Sequence, residues 1–516
     1  MSTQNGDSAI DLVELLTVSH RDQVARELPW FLVTQRWFGS KSRTITSATL
    51  ANVQTLPGTN AALTTVAVSY VEGARETYQL PLAITSGSAA AALRVSTPNV
   101  IVATLNTSQG PTLLHDAVVD EHFRAQLLAL TAASPYTVDL LPSRVASAEQ
   151  SNTSILYDDR YILKLYRRLQ PGENPDVEIP RFLTSIAHFD NIPAYLGHLR
   201  GADGTTLAFL QAFAPNQGDG WQWMVEELGR FFASVVHLAA PQATIPRASF
   251  LATSTITSEP REYAPNSIAA AALLGRRTAE LHLALATHTD DPAFCAEAFT
   301  PNDLAADATR IHAQIVSALD AMKQHMPQVP AALTDAAASL LSKRKQLLDR
   351  AHTLATASPY RFGRRIRIHG DYHLGQVLRT ADDFLVVDFE GEPARSLEER
   401  RRKQSPLRDV AGMLRSFSYA AFAALDAHKQ HTPCSPSLEA WATAWERSAS
   451  TAFLASYRDV IVANPELIPE PPQAESMLTA FLLEKALYEL LYELNNRPTW
   501  LGIPLSGVLS LLREAA

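Results

Sequence analysis

The chain has 516 residues, 46% of them hydrophobic and 19% charged, with 44 lysines and arginines against 53 acidic residues and a net charge of -9. That length asks for two or three packed units, and the acidic balance argues against a general nucleic-acid or anionic-membrane surface. Cys295 and Cys434 lie in no metal-type cluster, Met1 to Ala9 is polar, and no apolar run reaches bilayer length, so the reading is a soluble, cytoplasmic protein without a disulfide frame or structural zinc.

Residues 21–36 have the period of a short amphipathic helix, and apolar alternation over 47–55, 61–71 and 75–84 predicts antiparallel strands. Glu72-Gly73 is a good hairpin turn between the last two. This helix-plus-sheet cap is expected to end near residue 105. A helix over 113–131 then precedes strands at 143–148, 153–157 and 161–166, with Asp158-Asp159 as a turn. A helix over 177–188 and strands over 192–199 and 205–213 complete a second unit, 106–213, in the order of a kinase small lobe. From 214 to 516 long helical periods dominate, for example 267–286, 407–425 and 475–495. One interruption, 367–388, carries short β-type segments at 366–368 and 384–387, and irregular islands of this kind often hold chemistry.

The strongest signal lies in that island: His369-Gly370-Asp371-Tyr372-His373-Leu374-Gly375-Gln376, then Val386-Val387-Asp388-Phe389-Glu390. Phosphoryl transfer needs a carboxylate that orients the attacking hydroxyl and takes its proton, and side-chain oxygens that hold magnesium against the phosphates. Asp371 is placed for the first task. Gln376, five residues on, has the spacing of the metal-binding asparagine in protein-kinase catalytic loops, and Asp388 ends an apolar strand where it suits the metal. Oxygen ligands of this type favour Mg2+. His369 and His373 are expected to bond backbone or carboxylate, not metal.

Lys164 stands among apolar neighbours in Tyr161–Tyr166 and can pair with the α and β phosphates of ATP if a helix carboxylate fixes it. Glu178 is the expected partner and Asp176 the reserve. No glycine-rich loop precedes it; Glu149-Gln150-Ser151-Asn152-Thr153-Ser154 takes that place, so Ser151, Asn152 and Thr153 are the phosphate-loop candidates. The charged run 397–409 brings Arg408 and Asp409 toward an acceptor pocket. Near the carboxy terminus Tyr488, Glu489, Tyr492, Asn496 and Trp500 combine aromatic faces with hydrogen-bonding groups, the composition of a disaccharide site.

Gln35-Arg36-Trp37-Phe38-Gly39-Ser40-Lys41, the 163–168 strand leading into Asn174–Glu178, His369–Leu378, Asp388–Pro393 and Ser405–Phe417 together resemble the bacterial maltokinases. The resemblance implies an α+β, bilobal fold of the eukaryotic-protein-kinase-like and aminoglycoside-phosphotransferase-like type, with an amino-terminal cap and a mostly helical carboxy-terminal lobe. It implies transfer of the ATP γ-phosphate to the anomeric hydroxyl of maltose, with Mg2+, giving maltose 1-phosphate for α-glucan (glycogen) synthesis from trehalose. It assigns Lys164 to phosphate, Asp371 as base, Gln376 and Asp388 to magnesium, and the backbone of the Gln211-Ala212-Phe213 hinge to adenine. Some relatives are fused to trehalose synthase, which this chain has no room for, so any such association would join separate subunits. Two other readings remain: the same chemistry on glucosamine or an aminoglycoside, or a non-catalytic kinase-like regulator, for which retention of Lys164, Asp371, Gln376 and Asp388 has no purpose.

Overall fold

A computed structural model describes residues 11–108, 110–132, 141–146, 151–242, 245–251, 258–355, 362–393, 395–430 and 436–513. Cys434, Glu149, Gln150 and the amino-terminal Met1–Ala9 stretch lie outside the described residues. Two compact units divide the chain: Met1–Pro180 with Pro193–Ala214, and Arg181–Ile192 with Pro215–Ala516.

In the first unit, Val24, Leu28, Phe31 and Leu32 recur at helical spacing, and the helix Arg21–Thr34 buries that stripe. Alternating segments become strands β1 (Ile45–Thr55), β2 (Ala61–Tyr70), β3 (Glu76–Gln79) and β4 (Leu82–Ser86). The helix packs on their apolar face, where Leu28 and Leu32 share a core with Val66, Val68 and Tyr78. Strands β5 (Ile101–Thr107) and β6 (Gly110–Asp116) extend the same antiparallel sheet, β6 lying between β4 and β5. The expected 113–131 helix is therefore corrected. Its first four residues finish a strand, Ala117–Val119 make a short turn, and helix runs only over Glu121–Thr131, started by the Asp120 carboxylate, which accepts the His122 and Phe123 amides. The sheet continues past the expected end near residue 105, to Asp116.

A second sheet has the order β11-β12-β9-β8-β7, from β7 (Ser143–Val145), β8 (Thr153–Tyr157), β9 (Tyr161–Leu165), β11 (Tyr195–Arg200) and β12 (Thr206–Ala212). Between β8 and β9, Asp158 and Asp159 both adopt positive φ, which aspartate tolerates better than most residues. The short β10 (Arg168–Leu169) pairs with β3, so the chain steps from one sheet to the other within three residues of Leu165. Arg167 sits at that step. Its guanidinium is almost wholly buried, donates to Asp116 Oδ2 at 2.7 Å and to Thr153 Oγ1 at 2.8 Å, and lies 4.7 Å from the centre of the Trp37 ring.

The second unit is mostly helical. The predicted long helices form as Pro265–Leu285, Leu407–Lys429 and Pro471–Asn496, each within a few residues of expectation. The two-residue strands β13 (Glu297–Ala298) and β14 (Arg364–Arg365) pair, and β15 (Val377–Arg379) with β16 (Phe384–Val386) makes the hairpin inside the irregular island. Asp383 at its turn is gripped by Arg277 and Asn191. Helix Pro265–Leu285 crosses helix Pro436–Ile461 so closely that a β-carbon on Gly275 would stand 2.1 Å from the Phe453 carbonyl oxygen. Gly275→Ala is therefore expected to force the helices apart and lower stability by about 1–3 kcal/mol, read as the shift of the thermal or urea midpoint. Among the described residues no helix is long and apolar enough to cross a membrane.

Candidate active site

Within the first unit, β9 carries Lys164 into the interior, where its ammonium donates to Asp176 Oδ2 at 2.7 Å. Tyr166 Oη donates to the same oxygen at 3.0 Å. The Asp176 amide in turn donates to Asn174 Oδ1 at the start of helix Pro175–Ser185. The reserve carboxylate thus holds the lysine, and Glu178, two residues on, is also buried. A buried ammonium needs such a carboxylate, and two fixed donors on one oxygen set its direction. Of the phosphate-loop candidates, Thr153 accepts Arg167 Nε through its hydroxyl, and Ser151 is exposed. Asn152 is half-buried just before β8. In the hinge, Gln211 pairs with Ile162 in the ladder, and the amides of Ala212 and Phe213 donate to the carbonyls of Ala194 and Arg160, so the backbone groups expected to meet adenine are narrowed toward the hinge carbonyls.

In the second unit the His369–Gln376 segment is held from behind by Asp409, two per cent exposed on helix Leu407–Lys429. Asp409 Oδ2 accepts the His369 amide at 2.8 Å and His282 Nε2 at 3.3 Å, and Oδ1 accepts the Gly370 amide at 2.9 Å. Burial works against this charge, but His282 and the amides outweigh it and hold the Asp409 carboxyl below the usual carboxylate range. Gly370 needs its glycine, with φ at 82°, and Gly412 lies so near that a β-carbon there would stand 2.5 Å from the Tyr372 carbonyl. The loop is clamped against the helix by backbone contact.

His369 spans the loop and the hairpin. Its Nε2 donates to the Val387 carbonyl at 2.9 Å, and its Nδ1 accepts the Asp371 amide at 3.4 Å, a pairing that fixes one tautomer. His373 Nδ1 accepts the Gly375 amide, and burial pushes its imidazole below the ordinary value. Both histidines thus serve the backbone. The Val387 amide donates to the Gln376 carbonyl, so Gln376 and Asp388 stand on adjoining strand ends. Asp388 itself holds φ at 67°, a left-handed conformation that non-glycine residues keep mainly where surrounding structure enforces it, often at functional sites. Carboxylate oxygens of Asp388 and Glu390 come within 4.8 Å of each other. Two carboxylates so close offer hard oxygen donors, which fit Mg2+ and not a soft metal, and the backbone pairing brings Gln376 to the neighbouring strand end. Glu390 was not singled out from the sequence, although it stands two residues after Asp388.

Asp371 lies in the wall of a cavity of about 310 Å³ inside this unit. Lys485 donates to its Oδ1 at 3.3 Å. Burial works against the lysine's charge, but the Asp371, Glu392 and Glu489 carboxylates prevail and raise its pKa above the ordinary value. Every carboxylate lining the cavity is engaged. Glu392 binds Arg395, Glu484 binds Arg310 and Arg408, Glu399 accepts the Ser396 amide and hydroxyl, and Asp409 takes the loop amides. Two donors, Gln314 Nε2 and Arg408 Nε, are buried without a hydrogen-bond partner among the described residues, and both residues line the cavity.

Of the sugar residues expected from the sequence, the structure brings Arg408 and Tyr488 to this cavity. Glu489, Tyr492, Asn496 and Trp500 do not line it. Glu489 is buried against Arg415, Tyr492 is exposed, Asn496 bonds the Tyr492 carbonyl, and Trp500 packs on Tyr419 and Phe422. The helix is the expected one, but its cavity face is Phe481, Glu484, Lys485 and Tyr488, one to four residues apart. Lys485 and Glu484 were legible as two charges inside the apolar run 477–487.

Residues 31–120 match the family model of the maltokinase N-terminal cap domain. A glucosamine kinase from Streptacidiphilus jiangxiensis is 26% identical over 393 residues, 75% of this chain and 76% of the relative. A glucosamine kinase from Mycolicibacterium smegmatis is 25% identical over 375 residues, 72% of this chain and 80% of the relative. The solved structure of glucosamine kinase in complex with glucosamine, ADP and inorganic phosphate superposes with a TM-score of 0.64 at 20% identity, covering 96% of this chain and 100% of that one. The chain is thus maltokinase-like in its cap, has the α+β fold of glucosamine kinase, and is related in sequence to kinases.

Proposed function

We propose that the protein is an ATP-dependent sugar kinase that phosphorylates maltose at its anomeric hydroxyl, giving maltose 1-phosphate and ADP. The observation that carries the reading is Asp371 in the wall of a cavity whose carboxylates are all engaged by cations or amides while Gln314 and Arg408 present unused donors. Such a lining suits a neutral, hydroxyl-rich ligand. A protonated amino sugar needs a carboxylate that has no cation already, and it would have to approach the ammonium of Lys485.

Asp371 orients the attacking hydroxyl and takes its proton, and Lys485 steadies the carboxylate through Oδ1. Gln314 and Arg408 donate to sugar oxygens, and the Tyr488 ring offers an apolar face for a pyranose. Lys164, aimed by Asp176, takes the α and β phosphates of ATP. Gln376, Asp388 and Glu390 would hold Mg2+, which when bound neutralises charge on the β and γ phosphates. A place between trehalose and α-glucan, an association with trehalose synthase and a cytoplasmic setting follow from the maltose reading and stand or fall with it.

Phosphorylation of glucosamine is the second reading, favoured by the relatives that match along three quarters of the chain. Turnover with maltose, glucosamine and glucose separates the two. Maltose-dependent ADP release is expected, with phosphorus NMR placing the new phosphate on the anomeric carbon. Glucosamine turned over tenfold more efficiently than maltose would assign the second reading instead.

A further inference from the structure

A larger cavity, about 740 Å³, lies in the second unit and shares no lining residue with the one beside Asp371. Three guanidinium groups, Arg247, Arg350 and Arg447, border it, with Glu475 as the one carboxylate among its lining residues. Glu475 already works hard: Oε1 accepts Arg247, and Oε2 accepts the Ser249 hydroxyl and the Phe250 amide. Arg447 donates to the Ile245 carbonyl. Arg350 donates to the Leu511 carbonyl at 3.0 Å and meets no carboxylate among the described residues. Burial and the neighbouring Arg247 both work against its charge and push it below the ordinary guanidinium value.

A protein that gathers like charges around a void has built an electrostatic cost into its fold, and an anion in the void would relieve it. Guanidinium groups match phosphate oxygens in number and geometry, whereas a neutral ligand would leave the repulsion standing. The remaining wall is apolar, with Ile311, Leu251 and Leu483, and the volume exceeds that of a bare anion. We propose that this cavity is a second ligand site, which binds a small phosphorylated molecule with its phosphate on Arg350 and Arg247 and its body against the apolar wall. Helix Pro471–Asn496 carries Glu475 and Thr479 to this site and Lys485 and Tyr488 to the other, and helix Pro301–His325 likewise presents Ile311 here and Gln314 there. The two sites are separate, but they share supports.

Calorimetric titration of the full chain with glucose 6-phosphate and with inorganic phosphate tests the site, using wild type, Arg350→Gln, Arg350→Lys and Asp371→Asn. Wild type is expected to bind glucose 6-phosphate with an affinity that weakens as salt rises. Arg350→Gln should weaken it at least tenfold, Arg350→Lys should weaken it less, and Asp371→Asn should leave it unchanged. Tighter binding of glucose 6-phosphate than of inorganic phosphate supports the apolar wall as part of the site. Without ligand, Arg350→Gln should unfold at the same temperature as wild type or higher, because a repelled charge has been removed. No binding by wild type, or binding that Arg350→Gln leaves intact, overturns the proposal. So does a loss caused equally by Asp371→Asn, since the ligand would then occupy the site already described. A lowered midpoint in Arg350→Gln with affinity unchanged would make the arginine structural and overturn it as well.

Discussion

An Asp371→Asn protein is expected to lose between about a hundredfold and ten-thousandfold of kcat while its fold and its KM for ATP stay within about twofold of wild type. The substitution keeps the shape of the side chain and an oxygen for Lys485 to bond, so the cavity wall is preserved. What it removes is the capacity to take a proton from the acceptor hydroxyl. In a reaction with a loose transition state much of the rate comes from positioning and charge, and the proposed function assigns these tasks to groups other than Asp371. A residual rate is therefore expected, and its size separates the proton-transfer contribution from the remainder. Steady-state kinetics with circular dichroism as the fold control gives the answer. A fall of less than tenfold, about 1.4 kcal/mol of barrier, would remove Asp371 from the role of base.

The parts of the site that could be read from the sequence are those that local chain geometry determines. His369 to Gln376 and Asp388 to Glu390 are two short runs joined by one hairpin, and the hairpin turn, the apolar strand and the polar ends are all visible in the residue order. The order of preference between Glu178 and Asp176 was not legible for the lysine, because both carboxylates are buried in the first turn of helix Pro175–Ser185, and Asp176 Oδ2 takes the ammonium at 2.7 Å. On helix Pro471–Asn496 the error had a different source. Sequence reading takes acidic and aromatic residues to mark the wet face, but Glu489 and Glu493 are buried at 8% and 1% exposure because Arg415 and Arg497 neutralise them. Two charged faces on one helix leave its phase undetermined. Strand β6 was hidden for a related reason, since Leu113 and Leu114 fall at a spacing that, with Ala117, Val118 and the apolar residues of the next helix, also reads as one helical stripe. The contact between Arg167 and Asp116 joins residues 51 apart, and no local pattern announces it.

Asp409 is the residue whose loss should damage stability and catalysis together. Asp409→Ala would leave the buried amides of His369 and Gly370 without an acceptor, and His282 without its carboxylate. Each orphaned buried amide costs about 1–3 kcal/mol, so the pair alone removes about 2–6 kcal/mol from a total of about 5–15 kcal/mol for an ordinary domain. Asp409→Asn is no rescue. Its single oxygen serves one amide, and its NH2 group then faces the other amide, donor against donor. Because these amides belong to the two residues immediately before Asp371, the surviving folded protein should also lose kcat, whereas a purely structural defect elsewhere in the unit would lower only the folded fraction. The pH dependence has a definite sign. The Asp409 carboxyl titrates below its unfolded value, so its contribution is present in full above the ordinary carboxylate range and disappears as pH falls through the folded value. The gap in urea midpoint between wild type and Asp409→Ala should therefore be widest near neutrality and narrow below about pH 4. A gap that stays constant from neutral to acid pH would mean that the carboxylate's charge does not hold the loop, and the assignment of Asp409 as the frame of the Asp371 site would have to be withdrawn.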